Sequence, residues 1–287
     1  MDSVSLKLKK ATPHCGAEVL DLDLSQPLGD DLVSILEQAL AEHGVLFFRN
    51  QKLDPTQQKT IGASFGKLHI HPEWPQLVKG HPEIMELVTD ENSTYIAGEN
   101  WHSDVSCDIK PPLGTVFYTL EVPPVGGDTL FANTYAAFES LSLPMQKFLS
   151  GLTAIHDGEH HYRGRYIGAR AEDKEYPKAT HPVVRTHPIS GRNSLFVNRI
   201  FTTRIIELEE PESAEILGML FNHIEQPEFQ CRIQWEPESL AIWDNRCVQH
   251  KALWDYFPNR RHALRVTIEG EKPFFDSMAK GCPAPLD

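Results

Sequence analysis

The 287-residue sequence contains no apolar run near the ~20 residues that cross a bilayer, no internal repeat, no low-complexity tract and no Gly-, Ser- or Pro-rich linker. These absences exclude a membrane-spanning helix and a solenoid, and they favour a single domain over residues 1–287. The first residues, Met1-Asp2-Ser3-Val4, show neither the basic nor the apolar part of a secretory signal, so a cytoplasmic location is expected. Basic residues are in short supply, with 27 Lys and Arg against 40 Asp and Glu for a net charge of −13. That balance disfavours nucleic acid and an anionic membrane as partners. It leaves room for a small anion, because a local arginine cluster can overrule the global field. Cysteine is scarce too: Cys15, Cys107, Cys231, Cys247 and Cys282 make an odd number with no CxxC spacing. Reduced thiols are expected rather than a disulfide framework, with Cys107 as a packing residue.

What is present reads as a helix-decorated β protein. Asp30–His43 carries Leu32, Ile35, Leu36, Ala39 and Leu40 at helical spacing and stops at Gly44. Val45–Phe48 follows as a short buried strand, and Pro55–Phe65 as a second helix closed by Gly66. Thr115–Leu120, Ser239–Trp243 and His262–Ile268 read as strands, and Pro211–Ile224 as a third helix. Many short strands with turn signals predict a mainly β chain with flanking helices around a jelly-roll core. Asp157–His181 stands apart as a polar stretch rich in His, Arg and Gly, in keeping with either a functional lid or a disordered loop.

The chemistry concentrates in His102-Ser103-Asp104 and, far along the chain, His250. Two imidazoles and one carboxylate can cap one face of an iron(II) ion and leave positions for an organic co-substrate and oxygen. In an extended strand His102 and Asp104 share a side, with Ser103 facing away. His250 follows the turn Asp244-Asn245-Arg246, which places it at a barrel mouth. Among 14 histidines, His69-Ile70-His71 and His160-His161 are rival ligand pairs. The strand after His250 strengthens the first set. Arg261, Ala263, Arg265 and Thr267 share one face, and two arginines on a mostly buried face are costly unless anions or salt bridges meet them. A zinc or manganese hydrolase or isomerase on the same barrel, and a non-catalytic binding module, are the competing classes.

Several segments together carry a resemblance: Trp101-His102-Ser103-Asp104, Gly126-Gly127-Asp128-Thr129, His181 to Pro188, Trp243-Asp244-Asn245-Arg246, Gln249-His250, and Arg260-Arg261 through Arg265. In this order, and from about Val19 to Phe274, they resemble the taurine dioxygenase-like (TauD/TfdA) family of Fe(II)- and 2-oxoglutarate-dependent dioxygenases. The resemblance implies a double-stranded β-helix (jelly-roll) core and a reaction consuming 2-oxoglutarate and O2 and releasing succinate and CO2. It implies His102, Asp104 and His250 as Fe(II) ligands, and Arg261 with Thr129 on the far carboxylate of 2-oxoglutarate. Arg265 would receive an anionic group of the main substrate, while Asp244 and Asn245 hold the loop that presents His250. His71 matches a substrate-contacting histidine. Trp74 stands where the taurine enzymes have tyrosine, and Gly98 where they have asparagine. The expected substrate is therefore a small or medium organic anion of the sulfonate, alkyl sulfate or aryloxyalkanoate type. Taurine itself, or an amino-acid-like or other carboxylate metabolite, is the alternative. The resemblance also implies a homo-oligomer, dimer or tetramer.

Overall fold

The computed structural model describes residues 5–71, 76–163 and 175–279. Its spine is a large sheet in the order Lys7–Lys10, Ala17–Leu20, Val45–Phe48, Leu240–Asp244, Gly114–Glu121, Arg261–Ile268, His81–Thr89 and Leu77–Val78, with Leu68–His69 also paired to Arg261–Ile268. Neighbours are antiparallel except Ala17–Leu20 beside Val45–Phe48. A smaller antiparallel sheet, Gln230–Ile233, Thr129–Asn133 and Val248–Ala252, supplies the facing layer.

Alternation along each strand sorts the side chains between two interiors. Leu240 and Ile242 join Val116, Tyr118, Leu264, Val266 and Ile268 in a cluster beneath the helices. Ala241 and Trp243, one residue out of phase, join Phe117 and Ala263 against Phe131, Ile233 and Val248 of the small sheet. The first cluster is the outer core, and the second lies between the sheets, where the functional side chains gather.

The helices that cover the outer core follow local rules. Asp30–His43 begins with Asp30 and Asp31, whose charges suit the positive end of the helix dipole, and it buries Leu36, Ala39 and Leu40. Gly44, at φ 74°, ends it in a conformation that disfavours other residues. Pro55–Phe65 opens with a capping box, in which Asp54 Oδ1 accepts from Gln57 N and Gln57 Oε1 accepts from Asp54 N, both at 2.8 Å. These two helices and the Val45–Phe48 strand have the limits expected from their periodicity, while the third helix runs from Glu210 to Ile224. Its first turn begins one residue before Pro211 because Glu209 and Glu212 form a capping box.

The stretch expected as a lid or disordered loop is divided. Residues 164–174 lie outside the described part. Glu159–Tyr162 forms a short helix, and Lys178–Pro182 pairs with Thr153–Asp157 as ordinary sheet. Among the described residues no helix is long and apolar enough to cross a membrane.

The large sheet is tightest where Gly114 meets the Trp243 carbonyl: a Cβ at Gly114 would sit 2.4 Å from that oxygen. Both partners are backbone, so neither can rotate away. Gly114→Ala is therefore expected to destabilise the fold by about 1–3 kcal/mol in urea denaturation. An unchanged midpoint would show that the two strands separate freely there.

Candidate functional site

Folding brings the two distant parts of the His102, Asp104 and His250 set together through backbone pairing. His102 N donates to His250 O at 3.1 Å, and His250 N donates to His102 O at 2.8 Å. This reciprocal pair is an isolated bridge, and the expected extended strand does not form around it. The chain turns immediately after Asp104 instead, with Val105 at φ 45° and Asp108 N donating to Val105 O at 3.0 Å. Ser103 still faces away, its hydroxyl donating to Val248 O at 3.1 Å. His250 lies inside the Val248–Ala252 strand, paired with Phe131, and not merely past a turn.

The ligand-type atoms converge. Asp104 Oδ1 lies 3.5 Å from His102 Nε2 and 3.7 Å from His250 Nε2, and all three residues are buried. The donor chemistry suits a divalent metal. His102 Nδ1 is 2.8 Å from Asn100 O, so that nitrogen carries the proton and Nε2 keeps its lone pair. Burial, reinforced by the neighbouring His102 and only partly opposed by Asp104, pushes His250 well below the ordinary imidazole value. Burial alone would push the Asp104 carboxyl up. Arg265 and the imidazoles outweigh it and hold Asp104 well below the usual carboxylate range.

Asp104 Oδ2 points the other way, into three donors: Arg265 Nη2 at 2.7 Å, Thr115 Oγ1 at 3.0 Å and Trp243 Nε1 at 3.2 Å. Asn245 Oδ1 accepts from the Asp104 backbone N at 3.3 Å and from Trp243 Nε1 at 3.1 Å. The adjoining Asp244 anchors the same loop. It pairs with Arg246 at 2.8 and 2.7 Å and with His187 Nε2 at 3.0 Å. His187, Asp244 and Cys247 also lie close enough together to suggest a metal site. Both Asp244 oxygens are already taken, and His187 Nδ1 accepts from Ile189 N and Ser190 N at 3.2 Å each, so this cluster is a hydrogen-bonded brace.

A cavity of about 100 Å³ opens beside the triad. It is lined by Thr129 and Arg261, which sequence placed on a dicarboxylate, and by Arg265, His71 and Gly98, which sequence placed on a substrate. Arg261 lies over Phe117 at 5.1 Å and Trp235 at 5.9 Å, with no ion pair among the described residues and a buried Nε that lacks a partner. Burial pushes its guanidinium below the ordinary value, and Tyr256 and Asp128 only partly offset it. Thr129 Oγ1 accepts from Trp235 Nε1 at 3.0 Å, which leaves the hydroxyl proton to donate elsewhere. Arg265 differs from Arg261: one of its nitrogens is already spent on Asp104, while its buried Nε has no partner. His71 meets His69 edge-on at 6.1 Å, and both line the cavity without joining the triad. His160 is exposed, and Trp74 lies outside the described residues.

Sequence reasoning missed Thr115, Trp235, Tyr162 and Phe201, all of which line the cavity or bond a residue that does. Trp235 belongs to no motif, and Thr115 is one threonine in a strand rich in them. Only their placement in the folded chain marks them.

Comparison with known proteins agrees with this geometry. Residues 7–267 match the model of the taurine catabolism dioxygenase TauD, TfdA family. A protein of Saccharomyces cerevisiae named alpha-ketoglutarate-dependent sulfonate dioxygenase is 38% identical, over 94% of this chain and 68% of its own length. A protein of Acinetobacter baylyi named alkylsulfatase is 34% identical, over 93% of this chain and 86% of its own. The crystal structure of a protein described as a taurine dioxygenase from Burkholderia xenovorans superposes with a TM-score of 0.82 at 32% identity, covering 96% and 92% of the two chains.

Gly98 offers a test of how closely the cavity wall fits the ligand set. Its φ is 81°, and a Cβ there would stand 3.1 Å from His102 Cε1. Gly98→Ala is expected to cost about 1–2 kcal/mol in thermal denaturation, because alanine is strained in this conformation, and to weaken divalent-metal binding through His102. Asparagine visits the left-handed region more readily, so Gly98→Asn should lose less stability. Equal stability of all three proteins would show that the wall relaxes.

Proposed function

From the premise that this chain belongs to the taurine catabolism dioxygenase TauD, TfdA family, we propose that His102, Asp104 and His250 hold its iron and that Arg261 and Thr129 hold its co-substrate. It is a 2-oxoglutarate-dependent dioxygenase with a jelly-roll core, using Fe(II), 2-oxoglutarate and O2. In this family the bound iron and keto acid supply an oxidation in which 2-oxoglutarate gives succinate and CO2 while a substrate C–H becomes C–OH.

The residues present then have separable tasks. Nε2 of each histidine and Oδ1 of Asp104 face one point, which suits a metal bound on one face. Arg261 is the single observation that carries the co-substrate assignment. Among the described residues Arg261 has no ion pair and its buried Nε lacks a partner, and the planar fork suits a carboxylate through two parallel bonds. The Thr129 hydroxyl, oriented by Trp235, adds a third donor. Phe117 and Trp243 line the cavity with apolar surface, which strengthens these charge contacts.

For the main substrate we favour an alkyl sulfonate or alkyl sulfate. The support is the orphaned Nε of Arg265, the His71 ring and the two relatives whose names specify a sulfonate dioxygenase and an alkylsulfatase. Hydroxylation of the carbon bearing such a group gives an adduct that collapses to a carbonyl and releases the anion. Gly98 offers no amide where the taurine enzymes carry asparagine, so a less polar substrate than taurine fits the wall better.

Two measurements test these assignments. Anaerobic addition of Fe(II) and then 2-oxoglutarate should produce a visible charge-transfer band. In Arg261→Ala the 2-oxoglutarate needed for that band should rise about 10- to 100-fold, the worth of a paired charge, with iron affinity unchanged. No band in the folded wild-type protein would refute the metal and co-substrate assignments together. Succinate release above the no-substrate rate is expected with medium-chain alkyl sulfonates or sulfates. Release with amino acids alone would refute the substrate class.

A further inference from the structure

Three donors meet Asp104 Oδ2, and they are not equivalent. Trp243 Nε1 divides itself between Asp104 Oδ2 at 3.2 Å and Asn245 Oδ1 at 3.1 Å. Arg265 also lines the cavity proposed for a substrate anion, and its buried Nε has no partner. Thr115 is fully buried and has no such second duty. Its hydroxyl accepts from Arg265 Nη2 at 3.2 Å, so its one proton goes to Asp104 Oδ2 at 3.0 Å. No solvent reaches this point to replace it. Thr115 itself is fixed by the large sheet, where it stands opposite both Trp243 and Thr267. The hydroxyl thus comes from backbone that cannot shift without breaking two ladders.

A carboxylate beside a metal can bind through one oxygen or through both. Both would use a coordination position that the co-substrate or oxygen needs. Oδ1 is the oxygen nearest the two histidine nitrogens, and Oδ2 is the one turned away. We propose that Thr115 is a positioning residue that holds Asp104 to metal binding through Oδ1 alone, including when a substrate anion draws on Arg265. The inference rests on the reading of His102, Asp104 and His250 as the metal ligands.

The test is the number of water molecules on the metal. Mn(II) is bound to the full-length protein without co-substrate, and bound water is counted by electron–nuclear double resonance in ¹⁷O-water. Thr115→Val keeps the shape of the side chain and removes the hydroxyl, and it is expected to carry one fewer water than wild type because Oδ2 joins the metal. Thr115→Ser keeps the hydroxyl and is expected to match wild type. Thr115→Ala makes the same deletion with less bulk and serves if the valine protein does not fold. Equal water counts in wild type and the hydroxyl-deleted protein would overturn the role of Thr115 and leave the metal site standing. A folded wild-type protein that binds no Mn(II) would overturn the metal site, and the inference with it.

Discussion

The buried negative charge of Asp104 is the constraint around which the site is arranged. A carboxylate removed from water is costly unless donors surround it. Here one oxygen receives Arg265, Thr115 and Trp243, and the backbone N of Asp104 reaches Asn245. With its back held in this way, Asp104 presents its other oxygen to two imidazole nitrogens, one of which is fixed by Asn100 and the other neutral through burial. The electrostatic cost of the site and its capacity to hold a divalent cation have one origin.

The fold supplies these partners from both sheets. The strands Gly114–Glu121, Leu240–Asp244 and Arg261–Ile268 lie side by side, so Thr115, Trp243, Arg261 and Arg265 reach the same inter-sheet space. The small sheet brings Thr129 and His250 from opposite it. Two arginines four residues apart on one strand face thus have different surroundings. Arg265 meets the protein's own carboxylate, and Arg261 lies over aromatic rings with no ion pair among the described residues. The strand alternation alone does not reveal this difference.

Much was legible in the sequence where local physics decides the outcome. The periodicity and caps of Asp30–His43 and Pro55–Phe65 determine helices with those limits, since a glycine or a capping box ends each pattern. The candidate ligand set was legible as residue types, and the two-faced pattern of Arg261–Ile268 as alternation. The geometry around His102 was not. Its expected strand is a single bridge followed by a turn, because Val105 adopts a left-handed conformation that no residue-type rule predicts for a β-branched side chain. Thr115 was invisible for a different reason: its role depends on which strands lie beside it, a long-range fact. The polar Asp157–His181 stretch lacks apolar periodicity, yet its C-terminal end, from Lys178, joins a small sheet through pairing to Thr153–Asp157.

The account turns on where a metal goes. A crystal soaked in Mn(II) under anaerobic conditions, with diffraction data collected at the manganese edge, locates the ion by its anomalous signal. The account predicts one peak bonded to His102 Nε2, His250 Nε2 and a single oxygen of Asp104. A peak at the His187, Asp244 and Cys247 cluster, or no peak between the two sheets, would contradict it.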